Sequence, residues 1–195
     1  MSYYSLKNIL KNKAVFNVIF GERSNGKTYA TLKHGLEQYF KDGSQIAYIR
    51  RWKEDITGKR GQAVFSALIE NNEIEKLSGG KFTGVHYYTG TFFLCNYDNG
   101  KLIYSDNDVL GFLFALTDIE HDKSTSYPKV TSIIFDEFVT NRLYLPDEFV
   151  IFMNVISTIV RRRENVTIYM FGNTVNKSCP YFSEMGLNNV QDMEQ

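Results

Sequence analysis

Cysteine and proline are scarce here and net charge is absent, and each shortage excludes something. The two cysteines, Cys95 and Cys179, stand far apart, with no CxxC pair and no histidine at ligand spacing. That excludes a disulfide framework and a structural zinc site, and it suits a reducing cytosol. Three prolines and no low-complexity tract argue against a disordered chain. Lys plus Arg and Asp plus Glu each number 22, so the overall charge carries no sign of a protein that coats nucleic acid. Any contact with DNA has to be local. Long hydrophobic runs are missing too. The most apolar stretch, "EFVIFMNVISTIV", is too short and too interrupted to span a membrane. The start, "MSYYSLKNIL", is neither a signal peptide nor a myristoylation site. His34, His86 and His121 are isolated and read as ordinary surface or core residues.

What remains is a chain of 195 residues, 43% apolar, which is enough for one well-packed domain and hardly for two. Its order is legible from hydrophobic period. "AVFNVIF" (14–20) is a compact buried strand. A helix follows from Lys27 to Lys41, with Leu32, Leu36, Tyr39 and Phe40 on one face and Gly43 as its stop. "QIAYIR" (45–50) is the next strand, so strand, turn, helix and strand form a βαβ unit and a parallel pair. Residues 51–62, "RWKEDITGKRGQ", read as a mobile charged loop. Residues 63–77 read as one amphipathic helix. "KFTGVHYY", "TFFLCNY" and "KLIYSD" are strands separated by hairpin turns. A polar loop spans 118–128. "VTSIIFDEF" (130–138) is a strand ending in two acids. A helix starts at Pro146, with Asp147 and Glu148 in its first turn, and runs to about Arg162. "VTIYMF" (166–171) is another strand. From Gly186 the apolar pattern fades, so 1–185 is read as the domain and 186–195 as linker.

Chemistry concentrates at three places. Gly21, Glu22, Arg23, Ser24, Asn25, Gly26, Lys27 and Thr28 satisfy G-x-x-x-x-G-K-[ST], between a strand and a helix. Glycines let the backbone curl so that its N–H groups face phosphate oxygens. Lysine reaches the β- and γ-phosphates, and threonine offers a hydroxyl to Mg²⁺. Asp136 and Glu137 close a buried strand. The first can hold Mg²⁺ through water, and the second can polarise an attacking water. Arg161, Arg162 and Arg163 close a helix. Cations favour that end, but three exceed what capping needs, and one could meet a neighbour's γ-phosphate. Asn173 ends the following strand, where an amide could sense phosphate or serve as a plain turn residue. Arg50, Arg51 and Lys53 are either a solvated charge run or contacts to nucleotide, a second subunit or DNA. Two shorter patterns are set aside. "NKSC" (176–179) lacks the aspartate that reads guanine, and "DVLG" (108–111) is too short to carry weight.

In that order, "VIFGERSNGKTYA", "QIAYIRRWK", "KSTSYPKVTSIIFDEF", "IVRRRENV" and "FGNTVN…PYF" resemble the DNA-packaging (encapsidation) ATPases of small podovirus-type phages, a terminase-like branch of the P-loop ATPases. The resemblance spans about Phe16 to Phe182. It implies an α/β fold of the additional-strand, catalytic-glutamate P-loop class, with a mostly parallel sheet flanked by helices and a β-hairpin insertion. It implies ATP and Mg²⁺ as cofactors, with Lys27 and Thr28 as phosphate and metal contacts. Asp136 becomes the Walker B acid, Glu137 the catalytic glutamate and Asn173 the sensor. Arg161 matches the family's trans-acting arginine, with Arg163 the near alternative. Arg50, Arg51 and Lys53 match a basic cluster, and the loop from Val139 to Leu145 is a candidate DNA contact through Asn141 and Arg142. The implied setting is a homomeric ring, pentameric in the full motor, on the phage portal with packaging RNA and double-stranded DNA, in the host cytoplasm. Family members also carry a nuclease-related C-terminal domain, which would make this chain the ATPase domain alone. A helicase-type or conjugation-type ring ATPase, a non-motor nucleotide switch and a small kinase stay open as alternatives.

Overall fold

The computed structural model describes residues 4–22, 25–118, 125–141, 143–173 and 179–187. Along the chain, the elements are α1 (Lys7–Asn12), β1 (Phe16–Phe20), α2 (Lys27–Asp42), β2 (Gln45–Arg50), α3 (Lys59–Gln62), α4 (Ser66–Glu70), α5 (Glu73–Leu77), β3 (Gly84–Tyr88), β4 (Thr91–Asp98), β5 (Lys101–Ala115), β6 (Val130–Asp136), α6 (Glu148–Val160), β7 (Thr167–Gly172) and α7 (Pro180–Glu184). One seven-stranded sheet runs in the order β1-β7-β6-β2-β5-β4-β3. The first five of these strands are mutually parallel, and β4 and β3 extend the sheet as an antiparallel meander. β7 lies between the P-loop strand β1 and the acid-bearing strand β6, which is the additional-strand arrangement.

Alternation builds the layers. Successive side chains on a strand point to opposite faces. Ile133 and Phe135 of β6, with Ala47 and Ile49 of β2, pack with Phe152, Val155, Ile156 and Ile159 of α6. Ile134 of β6, with Ile46 and Tyr48 of β2, packs with Leu32 and Leu36 of α2. Both faces of the central strands are covered, so these strands are apolar throughout, as parallel strands are. Full burial of each such side chain contributes roughly 1.5–3 kcal/mol. Where α2 crosses β2, a Cβ on Gly35 would sit 2.5 Å from the tip of Ile46. Where β5 passes β2, a Cβ on Gly111 would sit 2.3 Å from the Ile46 carbonyl oxygen, so only glycine allows that approach.

Four expectations change. β1 and β2 are parallel but not neighbours, because β7 and β6 lie between them. The span 51–62 is docked rather than a mobile loop. The Gln62 amide donates to the Val85 carbonyl at 2.7 Å and accepts from the Tyr87 N–H at 2.8 Å, filling the edge of β3. The span 63–77 is not one helix. Asn72 takes a left-handed backbone (φ 55°) and splits α4 from α5, a conformation asparagine tolerates better than most residues. Finally, α6 begins at Glu148 and ends at Val160, and Arg161 and Arg162 lie beyond it with φ of 44° and 66°.

Candidate functional site

Because β1, β7 and β6 are adjacent and parallel, their carboxyl ends open together, the usual place for a ligand in such a sheet. There a cleft of about 440 Å³ has Asn25 to Tyr29 on one wall and Asp136, Glu137 and Asn173 on the other. Gly21 continues the β1 ladder, its N–H donating to the Gly172 carbonyl at 3.2 Å. The loop then turns into α2 at Gly26, whose φ of 90° is costly for any other residue. A Cβ on Gly21 would lie 2.5 Å from the Asn25 amide, so the first glycine gives the loop room to fold back on itself. Asn25 Oδ1 accepts from the Lys27 N–H at 3.2 Å.

Lys27 is buried, and its ammonium donates to the Gly21 carbonyl (3.0 Å), the Glu22 carbonyl (2.9 Å) and Asn173 Oδ1 (3.2 Å). Burial lowers its pKa, opposed by the nearby Asp136. The lysine is thus held against neutral oxygens, which an anionic ligand outcompetes. Thr28 lines the same wall.

Facing it, Asp136 Oδ2 accepts from the Tyr48 hydroxyl at 2.5 Å and from Arg50 Nη1 at 3.4 Å. Arg50 Nη2 donates to Glu137 Oε2 at 2.9 Å. Burial and then the Asp136 charge push the Tyr48 pKa well above its ordinary value, so its hydroxyl remains a donor. For Arg50, burial lowers the pKa, but Tyr48, Glu137, Asp136 and Asp55 together outweigh it and the net shift is upward. Glu137 has φ of 58°, a left-handed backbone on a non-glycine residue, which costs of order 1–3 kcal/mol and collects at functional sites.

As a magnesium site, the donor set fits. Among the described residues no three His, Cys, Asp or Glu side chains gather to cage a metal. Mg²⁺ in nucleotide sites is held instead by one carboxylate or hydroxyl, waters and phosphate oxygens. Thr28 and Asp136 supply that kind of set.

A model of the podovirus DNA encapsidation protein (Gp16) family matches residues 1–194. The chain belongs to this family. The encapsidation-family chain is 30% identical to a DNA packaging protein of Bacillus phage B103 over 184 residues, 92% of this chain and 50% of that protein. It is 27% identical to the DNA packaging protein of Bacillus phage phi29 over 92% of its own length. The chain therefore spans about half the length of these relatives. The N-terminal domain of the phi29 DNA packaging ATPase superposes with a TM-score of 0.75 at 25% identity, covering 95% of this chain and 86% of that one. A large terminase ATPase domain from a Thermus phage matches at TM-score 0.58 and 14% identity, covering 100% of this chain and 73% of that one, a likeness of fold.

The basic residues of this encapsidation-family chain divide sharply. Arg50 lies on the two acids of the cleft. Arg51 is buried, its Nε and Nη2 on the two oxygens of buried Glu148 at 2.7 and 2.8 Å, so it is not an exposed DNA or subunit contact. Lys53 is exposed and paired with Asp118 at 2.9 Å. Arg161 Nη2 donates to the Thr125 carbonyl at 2.8 Å. Arg163 is occupied within its own chain. It donates to the carbonyls of Val160, Val130, Tyr127 and Ile159 at 3.1, 2.5, 3.0 and 2.9 Å. Both arginines are thus engaged within the chain. Arg23, Ser24 and Arg142, with most of the proposed linker (188–195), lie outside the described residues.

Sequence reasoning missed Tyr29, Tyr48 and Glu148. Tyr29 lines the cleft, and its hydroxyl donates to Glu73 at 2.9 Å. For Tyr48 a signal existed, because a tyrosine inside a buried strand must find a partner for its hydroxyl. Glu148 looked like a dipole residue at a helix start.

Proposed function

We propose that this chain is the ATP-hydrolysing part of a ring motor that moves double-stranded DNA into a phage prohead. The observation that carries it is the meeting of Lys27, Asp136 and Glu137 around one cleft at the ends of adjacent parallel strands. The family membership supports DNA packaging as the task.

In this reading the triphosphate lies against the N–H groups of the loop 21–28 and the start of α2, where backbone donors and helix dipole favour anions. Lys27 exchanges the Gly21, Glu22 and Asn173 oxygens for phosphate oxygens. Mg²⁺, held by Thr28 and through water by Asp136, would neutralise developing phosphate charge. Asn173, released by Lys27, can face the γ-phosphate. Glu137 takes the proton of the attacking water, and parting of its Oε2 from Arg50 would free that oxygen for the task. A neighbour's Arg161 completes the charge around the γ-phosphate. Head-to-tail contacts then give every subunit one lent and one borrowed arginine, and the interface tightens with ATP and loosens after hydrolysis. A phage portal, packaging RNA and the host cytoplasm are the setting that the family resemblance implies for this motor.

The test is Glu137→Gln. It should bind ATP with parental affinity and lose hydrolysis about 100-fold or more, read by nucleotide titration and phosphate release. Parental turnover in that variant would remove the site assignment.

A further inference from the structure

The geometry assigns Arg51 a positioning role: it holds the backbone that aims Glu137, and Glu148 holds Arg51. The inference rests on the reading of Glu137 as the catalytic base. Arg51 Nη1 donates to the Glu137 carbonyl at 3.1 Å, and Nη2 donates to the Phe138 carbonyl at 2.7 Å. From the other side, the Phe138 N–H donates to the Phe171 carbonyl of β7 at 3.1 Å. The peptide after Glu137 is thus gripped at once from the residue that follows β2 and from β7. It needs that grip, because the residue it follows is held at φ of 58°.

Glu148 is fully used in the arrangement. Its Oε1 accepts from Arg51 Nη2 and from the Tyr181 hydroxyl at 2.9 Å. Its Oε2 accepts from Arg51 Nε and from the Leu145 N–H at 2.9 Å. The guanidinium lies 5.0 Å from the Tyr144 ring centre and 5.9 Å from that of Phe135. A buried ion pair of this kind adds little that well-packed apolar residues could not. What apolar residues cannot do is donate to two consecutive carbonyls, and a rigid planar fork does that where a lysine cannot. Neighbouring arginines have divided the work: Arg50 takes the Glu137 carboxylate and Arg51 takes its backbone.

The experiment compares Arg51→Lys, the paired variant Arg51→Met/Glu148→Gln and Glu137→Gln with the parent chain. ATP affinity is read with a fluorescent ATP analogue, together with the bound fraction at saturation and the turnover number. The paired variant leaves no lone buried charge, so it reports even if the lysine variant fails to fold. Expected are a bound fraction and affinity within twofold of parent, with turnover about thirty- to a hundredfold lower, as misaiming a reacting group does. Parental turnover in either ATP-binding variant overturns the role. So does a fall in turnover matched by an equal fall in bound fraction, which marks lost folding alone. Full activity in Glu137→Gln would instead overturn the catalytic assignment beneath it.

Discussion

At the scale of residues, the cleft is a balance between two cations and two acids, with a tyrosine as arbiter. Asp136 Oδ2 carries both the Tyr48 and the Arg50 bonds, so in the proposed reading Oδ1 would be the oxygen that meets the water on Mg²⁺. Tyr48→Phe deletes one donor with almost no change of shape. Losing a hydrogen bond to a carboxylate should lower stability by about 1.5 kcal/mol, and Asp136 becomes freer to rotate. The half-saturating Mg²⁺ concentration for ATP hydrolysis should rise several-fold while ATP binding without metal stays unchanged. A magnesium titration that superposes on the parent's would show that Tyr48 only fills space. The P-loop and the Asp-Glu pair were legible in sequence because their spacing is local and their chemistry is written in consecutive letters. Arg50 and Arg51 were not. A charge run looks the same whether it is solvated or buried, and the partner that buries Arg51 lies 97 positions away.

Elements carry these residues, and α6 carries the most. Its first residue, Glu148, holds Arg51, which in turn holds the Glu137 carbonyl. About 18 Å further along, at 1.5 Å per residue, its C-terminus hands over to Arg161 and Arg163. The last carbonyls of a helix need partners, and the Arg163 fork serves two of them, together with two carbonyls that lead into β6. Arg163→Ala should therefore act on the fold, by about 2 kcal/mol, lowering the midpoint of thermal unfolding by roughly 4–8 °C for a chain of this size. Calorimetry that finds the midpoint unmoved would return Arg163 to the list of possible trans residues. Strands and long helices were readable because two-fold and 3.6-fold periods survive in any window of the chain. What escaped was tertiary choice. Asn72 breaks a helical pattern that continues on either side. β5 pairs antiparallel with β4 and parallel with β2 along one strand of 15 residues, and no local pattern announces that double duty.

At the scale of the whole molecule, the proposed ring turns on where further cation for the γ-phosphate comes from. Charge developing on a γ-phosphate calls for more cation than Lys27 and the loop N–H groups provide. Among the described residues lining the cleft there is no arginine, Arg50 is bonded to the two acids, and Arg23 of the loop lies outside the described residues. A zero net charge removes the long-range repulsion that would keep copies apart. In the proposed ring, a head-to-tail partner presenting Arg161 would add that cation and make catalysis a property of the assembly. Turnover per chain, measured with Mg²⁺ at low salt, should then climb steeply with protein concentration. Arg161→Ala should abolish the climb, lowering the plateau on the order of 10³-fold while each chain still binds ATP. The lent arginine is also separable from the borrowed site. Mixing Arg161→Ala chains with Glu137→Gln chains lets each supply what the other lacks, so activity should reappear in the mixture. A rate that is flat with concentration, or two inactive variants that stay inactive together, would place the whole site in one chain and leave the ring without a chemical reason.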